Sequence, residues 1–269
     1  MTIMTLDQWI GGTKEIKSYS RTTTRTSVAN VWFTVHDLAG HPGAATLAVG
    51  NTANGLVPVS GPAGAQTNGY PLLNFSSNVT GYLTNVDFGS TVACRLSIYD
   101  RLFNCGAYTF NAATTLASQP SYAGRVPGGT DFTGLQLWAE AVTAGTLVQN
   151  VTVTYTDQSG NTGHTTGAVS AGAALTVGKL WQLPLAAGDS GLQKIESVTG
   201  TVASAGTFNV FVARPLWSGR VTIANGGDCH GLDRVGMPQI WNTSCLALMV
   251  NADSTSTGNP DIILEITSF

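Results

Sequence analysis

Residues 81–110 read GYLTNVDFGSTVACRLSIYDRLFNCGAYTF, and this stretch decides the fold class. From Thr91 to Leu102, Val92, Cys94, Leu96, Ile98 and Leu102 share one parity, while Ala93, Arg95, Ser97 and Tyr99 take the other. That is the two-residue period of a strand with one buried face. Tyr82, Thr84, Val86 and Phe88 give the preceding segment the same character, and Gly89 with Ser90 can supply a tight turn, so a β-hairpin is predicted.

The pattern returns along the chain. Residues 135–142 and 147–156 flank a small turn at 143–146, residues 192–203 and 207–215 flank Ser204-Ala205-Gly206, and residues 245–250 and 261–267 flank the loop NADSTSTGNP. Each reads as a further hairpin. No window carries an apolar i, i+3, i+4, i+7 stripe with caps, so no helix is expected. About ten to twelve strands at this spacing predict an all-β, antiparallel β-sandwich, with the jelly roll as the nearest type because it combines two Greek keys with long end loops. The domain is placed at residues 21–269. The loop at 115–134, with Pro120, Pro127, Gly128 and Gly129, is the place where the chain could instead divide into two sandwiches.

Residues 1–20 read as an extended N-terminal arm. Ile3, Leu6, Trp9 and Ile10 are too few to build a core, and Gly11-Gly12 can hinge them away from the domain. Such an arm packs on its own domain or on a neighbouring subunit. Trp32 and Trp138 fall on the parity opposite the predicted core and join the arm as expected interface residues, or as platforms for stacking sugars.

Composition points the same way. Of 269 residues, 43% are hydrophobic and only 10% charged, against about 25% charged in an ordinary soluble domain. Thr, Ser, Asn, Gln and Gly therefore make the polar surface, and such groups are far cheaper to desolvate than charges. Extensive protein contacts are expected, with a homo-oligomer as the simplest form; a neutral-surfaced monomer is the alternative. A net charge of −3 with scattered basic residues argues against nucleic acid as a partner. The N-terminus lacks the pattern of a signal peptide and no run of about 18 apolar residues exists, so no membrane partner is expected. Synthesis in a cytoplasm would keep Cys94, Cys105, Cys229 and Cys245 reduced, with Cys94 on the inward parity of its strand.

Several motifs touch on chemistry. Gly188-Asp189-Ser190-Gly191 resembles the loop around a serine-protease nucleophile, and Asp189-Ser190-Gly191 an aspartic-protease triplet, but the surrounding motifs are missing and an ordinary polar turn is the plainer reading. Asp228, His230 and Asp233, in NGGDCHGLDRVG, are the densest group of candidate metal ligands; a solvated loop is the simpler alternative. His36, Asp37 and His41 form a second group, with His36 on the exposed parity of its strand. Asn-x-Ser/Thr sequons occur at Asn78, Asn150 and Asn242. No catalytic residue and no cofactor is assigned.

The segment ACRLSIYDRLFNCG at 93–106, the unit at 134–156 and the stretch LPLAAGDSGLQKIESVTGT together resemble virion structural proteins of tailed bacteriophages. In that group a strand ends in a Tyr-Asp-Arg-Leu-aromatic turn, here residues 99–103, and a hairpin exits through a Thr-Tyr-Thr-Asp-Gln-like run, here residues 154–158. The likeness covers residues 81–217. It implies a non-enzymatic β-sandwich component of the virion, on the head as a decoration or capsid-associated protein, with a tail or neck component and a host-glycan-binding module as the other readings. The implied partners are further copies of the chain, a trimer favoured, and other virion proteins.

Overall fold

The computed structural model describes residues 5–60, 69–75, 80–172, 175–201 and 205–269. Strand makes up 52% and helix 6%, and the strands pair antiparallel in three sheets. The all-β antiparallel expectation holds.

A six-stranded sheet runs in the order Gly226–His230, Thr80–Ser90, Pro260–Ser268, Thr13–Arg21, Gly40–His41, with Gln239–Trp241 also on Thr80–Ser90. A five-stranded sheet runs His164–Thr165, Asn150–Asp157, Leu192–Gly200, Ala113–Thr115, with Val169–Ser170 also on Asn150–Asp157. Between them lies a seven-stranded sheet in the order Thr207–Val221, Gln136–Thr143, Lys179–Leu183, Trp32–Thr34, Leu246–Ala252, Cys94–Thr109, Asn51–Leu56. Thr207–Val221 pairs with Cys94–Thr109 as well as with Gln136–Thr143, so the first six of these strands close into a ring.

None of the predicted hairpins is one. Thr80–Ser90 belongs to the six-stranded sheet and Cys94–Thr109 to the central one; Gln136–Thr143 and Asn150–Asp157, Leu192–Gly200 and Thr207–Val221, and Leu246–Ala252 and Pro260–Ser268 are likewise divided between sheets. Each connection arches from one sheet to the sheet facing it. Their apolar parities meet across a core rather than lying side by side: Val86 and Phe88 share a core with Cys94, Leu96 and Ile98, and Leu248 and Val250 share it with Ile262 and Leu264. A period of two fixes which face is buried but not which strand lies alongside.

Two cores result. One lies between the five-stranded sheet and the central sheet, where Val151, Val153, Tyr155, Ile195 and Val198 meet Leu137, Ala139, Phe208 and Val210. The other lies between the six-stranded sheet and the central sheet. They do not correspond to chain halves divided at 115–134, because Cys94–Thr109 and Thr207–Val221 each contribute to both. The chain's first stretch also departs from a free arm up to residue 20. Thr13–Arg21 is a strand paired from Thr13↔Ser268 to Ser20↔Asp261. Before it, Leu6–Gly11 is a helix capped reciprocally by Thr5 and Gln8, with no buried residue. The Thr5-x-x-Gln8 capping box is the sequence signal of this helix, where the absence of an apolar stripe predicts none.

The ring has its own interior. Trp138 is 3% exposed and meets Tyr99, Leu180, Phe211, Ala213 and Met249 there, while Trp32 packs against it edge-on at 6.2 Å between ring centroids. Both tryptophans lie on the parity opposite the cores between sheets, as their sequence pattern predicts. In a sheet that closes on itself, the side opposite one core is another interior. Trp138 is thus buried inside the ring, where exposure was expected, and Trp32 is half-buried beside it.

Candidate functional site

Inside the ring, the face opposite the apolar rows carries charge. Arg101 donates to Glu140 Oε1 and Oε2 at 3.2 and 3.0 Å, and to Tyr70 Oη at 3.1 Å. Its guanidinium lies 3.9 Å from the centroid of Phe211. Asn209 Nδ2 donates to Glu140 Oε2 at 3.0 Å. Burial pushes the Glu140 pKa up, but Arg101 and His36 outweigh that and hold it below the usual carboxylate range. His36 stacks on Tyr70 at 5.2 Å and shares a 2.5 Å hydrogen bond with Thr34. It is 3% exposed, so its expected place on the exposed parity is corrected. Burial, with Arg101 and Arg21 acting against Glu140 and Asp37, lowers its pKa to about 4. The 3.9 Å approach of His36 to Glu140 is therefore not an ion pair at neutral pH. Beside this group, Asp100 accepts from Ser244 Oγ at 2.6 Å and Cys245 N at 2.8 Å, and Arg125 lies 3.7 Å away. The Tyr99–Phe103 motif is thus the middle of a long strand that buries an acid and a base, not a turn.

A second polar cluster reaches the surface. Asp157 ends the strand Asn150–Asp157; its Oδ1 accepts from Ser159 N and Asn161 N at 2.8 Å each, and Oδ2 from Asn161 Nδ2 at 2.8 Å. The Asn161 side chain, then the backbone amides and His164, hold its pKa below the ordinary value against the opposing effect of burial. His164 opens the short strand His164–Thr165. Its Nδ1 lies 2.7 Å from Asp189 Oδ2, which also accepts from Tyr155 Oη at 2.6 Å. On the other side of the ring, Nε2 stands 3.8 Å from Asp157 Oδ2.

Asp189 is held by its loop. Asp189 N donates to Ala186 O at 3.0 Å, and Gln158 Oε1 accepts from Ser190 N and Gly191 N. A Cβ at Gly191 would stand 1.9 Å from Phe132 O. Gly191→Ala is therefore expected to lower stability by about 1–3 kcal/mol, the usual range for overpacking, read by urea unfolding.

The Gly188–Gly191 run does meet a histidine, but through its aspartate. His164 Nδ1 faces Asp189 and its other nitrogen faces a second carboxylate, so no serine stands where a nucleophile would be activated. Among the described residues, the His, Cys, Asp or Glu ligand atoms that gather within 4.8 Å of one another belong to Asp157, His164 and Asp189. The expected group of Asp228, His230 and Asp233 does not converge in this way. His230 Nδ1 accepts from Trp217 Nε1 at 3.0 Å and its ring is enclosed by Phe88 and Trp217, while Nε2 is 3.7 Å from Asp228. Asp37 binds Arg25 rather than any metal ligand.

Of the expected interface residues, Ile3 lies outside the described residues, and so does the Asn78 sequon. Leu6 and Ile10 are 63% and 66% exposed. Trp9 Nε1 donates to Glu265 at 3.3 Å, which seats the helix over the outer side of the six-stranded sheet. On that side Ile16, opposite Glu265, and Ile263, opposite Ser18, are also exposed. Asn242 Oδ1 accepts from Phe75 N at 2.7 Å, a structural use of that sequon. All four cysteines are free thiols; Cys94, Cys105 and Cys245 are buried and Cys229 is exposed. No helix among the described residues is long and apolar enough to cross a membrane.

No family model and no curated protein matches the chain. Among solved structures, the VP2 subviral particle of infectious bursal disease virus aligns over 100% of this chain and 83% of that one, at 10% identity and a TM-score of 0.23. The Gx strain structure of the same virus aligns over 94% and 80%, at 10% identity and a TM-score of 0.18. The T13 viral particle aligns over 96% and 78%, at 10% identity and a TM-score of 0.20. Scores of this size do not establish a common fold.

Proposed function

We propose that the chain is a structural component of a virus particle that works through contacts with further copies of itself and with other virion proteins. The resemblance of residues 81–217 to tailed-bacteriophage virion proteins favours the phage head, in a decoration or capsid-associated role. The observation that carries the proposal is the exposure of Leu6 and Ile10 on the helix seated at the outer side of the six-stranded sheet, together with exposed Ile16 and Ile263 on that side. Burying such side chains stabilises association by about 1.5–3 kcal/mol each, before ordering costs.

Leu6→Ser/Ile10→Ser is the matching test, since both residues lie in a helix with no buried residue. The expected result is an unchanged circular-dichroism spectrum and thermal midpoint with self-association weakened at least tenfold, read by light scattering. A wild-type chain that stays monomeric at high concentration, and is absent by mass spectrometry from purified particles, would remove the proposal. Recovery of the chain in tail rather than head fractions would move it to the tail or neck.

A further inference from the structure

We propose that His164 Nε2 and Asp157 Oδ2 bind a divalent first-row transition ion of the zinc type, with Asp189 orienting the imidazole. This goes beyond the virion role and does not depend on it.

The argument starts from the ring's hydrogen bonds. A carboxylate only accepts, so the 2.7 Å contact between His164 Nδ1 and Asp189 Oδ2 requires the proton on Nδ1. The other ring nitrogen, Nε2, faces Asp157 Oδ2 across 3.8 Å. That separation is too long for a hydrogen bond. With the proton on Nδ1, Nε2 and Oδ2 are two acceptors converging on one gap, which a cation fits. Zinc bonds to imidazole nitrogen and carboxylate oxygen at about 2.0–2.2 Å, which puts two tetrahedral ligands about 3.3 Å apart. A shift of a few tenths of an ångström by the half-exposed ring closes the difference.

Charge and orientation support the same placement. The side chains of Asp157 and Asp189 are 4% and 6% exposed, and the basic group both face is His164, at 31%. Buried carboxylates are ordinarily paired or bound to metal. Asp157 is fixed by its own turn, with Oδ1 occupied by two backbone amides, and Oδ2, which accepts from Asn161 Nδ2 at 2.8 Å, faces the ring with its remaining lone pair. Asp189 on Nδ1 reproduces the carboxylate–histidine–metal relay in which an outer carboxylate sets the tautomer and orientation of a ligating ring. Tyr155 Oη, donating to the same Asp189 oxygen, fixes that carboxylate in turn. A nitrogen and an oxygen ligand, with water completing the shell from the exposed side, suit zinc or its neighbours better than calcium or magnesium.

The test is a titration of the full chain with Zn²⁺ by calorimetry, in a Cys229→Ser background so that the exposed thiol does not compete, together with the ¹⁵N shifts of the His164 ring. The expected result is one equivalent bound, with the His164 Nε2 resonance moved to its metal-bound range. His164→Gln should abolish the binding. Asp189→Asn should weaken it about 10–100-fold, as should Asp157→Asn, which keeps Oδ1 for the turn amides. His230→Gln should leave it unchanged. An equivalent retained in His164→Gln, or a His164 ring unmoved by zinc, would overturn the proposal. The latter result, with Nε2 protonated instead, would assign the gap to a proton. The ring shifts are read on the chain with His164 intact, so they decide the matter even where a variant fails to fold.

Discussion

Arg101→Met is expected to lower the unfolding free energy by about 3–5 kcal/mol, the range found when one partner of a buried ion pair is removed. Arg101 and Glu140 are 2% and 1% exposed, so water cannot replace the lost guanidinium. Glu140 would keep the Asn209 amide at 3.0 Å but lose both hydrogen bonds from Arg101. Burial disfavours the charge on Arg101, yet Glu140 and Tyr70 outweigh that and hold its proton more firmly than water does. The volume of methionine rules out a simple cavity as the cause. Arg101→Met/Glu140→Gln, which removes the orphaned charge and keeps an acceptor for Asn209, should recover part of the loss. Urea unfolding of the two variants measures this coupling. A loss below about 1 kcal/mol for Arg101→Met would mean that water enters the ring.

Stability should also fall as the pH drops from about 6.5 toward 4, and His36 is the principal cause. Its folded pKa, about 4, lies below the ordinary value of 6.5, so the unfolded chain binds the proton more readily. The neutral form's contribution is complete above the unfolded pKa and is lost as pH falls toward the folded one. The separation corresponds to roughly 3 kcal/mol at about 1.4 kcal/mol per unit. Arg101, Arg21, Glu140 and Asp37 act on the ring, with burial the largest effect. Glu140, held below the usual carboxylate range, adds a loss of the same sign at lower pH. In His36→Gln the slope between pH 6.5 and 4 should flatten while the more acidic limb remains; thermal unfolding across that interval checks it. An unchanged slope would place the responsible group elsewhere.

Much of the architecture was legible because burial alternates. Cys94, Leu96 and Ile98 were assigned to the core from the sequence and are fully buried. Period two does not supply the neighbour of each strand, so an arch between facing sheets and a hairpin read alike in the sequence. Trp138 shows the same limit: its parity was right, and only the closure of the sheet turned that side inward. The His164 cluster was less accessible still. Asp157 falls in the Thr-Tyr-Thr-Asp-Gln-like run and Asp189 in a protease-like run, but no local pattern joins Asp189 to His164, 25 residues earlier in the chain. The link is the pairing of Leu192 with Asp157, which brings the loop before one strand beside the end of the other. Arg101 and Glu140, charges inside hydrophobic strands, are the sequence signals of the ring's polar interior, and reading Arg101 as part of a turn conceals the first of them.

The two long strands, Cys94–Thr109 and Thr207–Val221, run antiparallel from Val221↔Cys94 to Thr207↔Thr109. Each passes from one core into the other without leaving the ladder. Force applied at opposite ends of this pair loads many cross-strand hydrogen bonds in shear, where they must yield together, rather than peeling them one at a time. The molecule is therefore a strut rather than two lobes on a hinge.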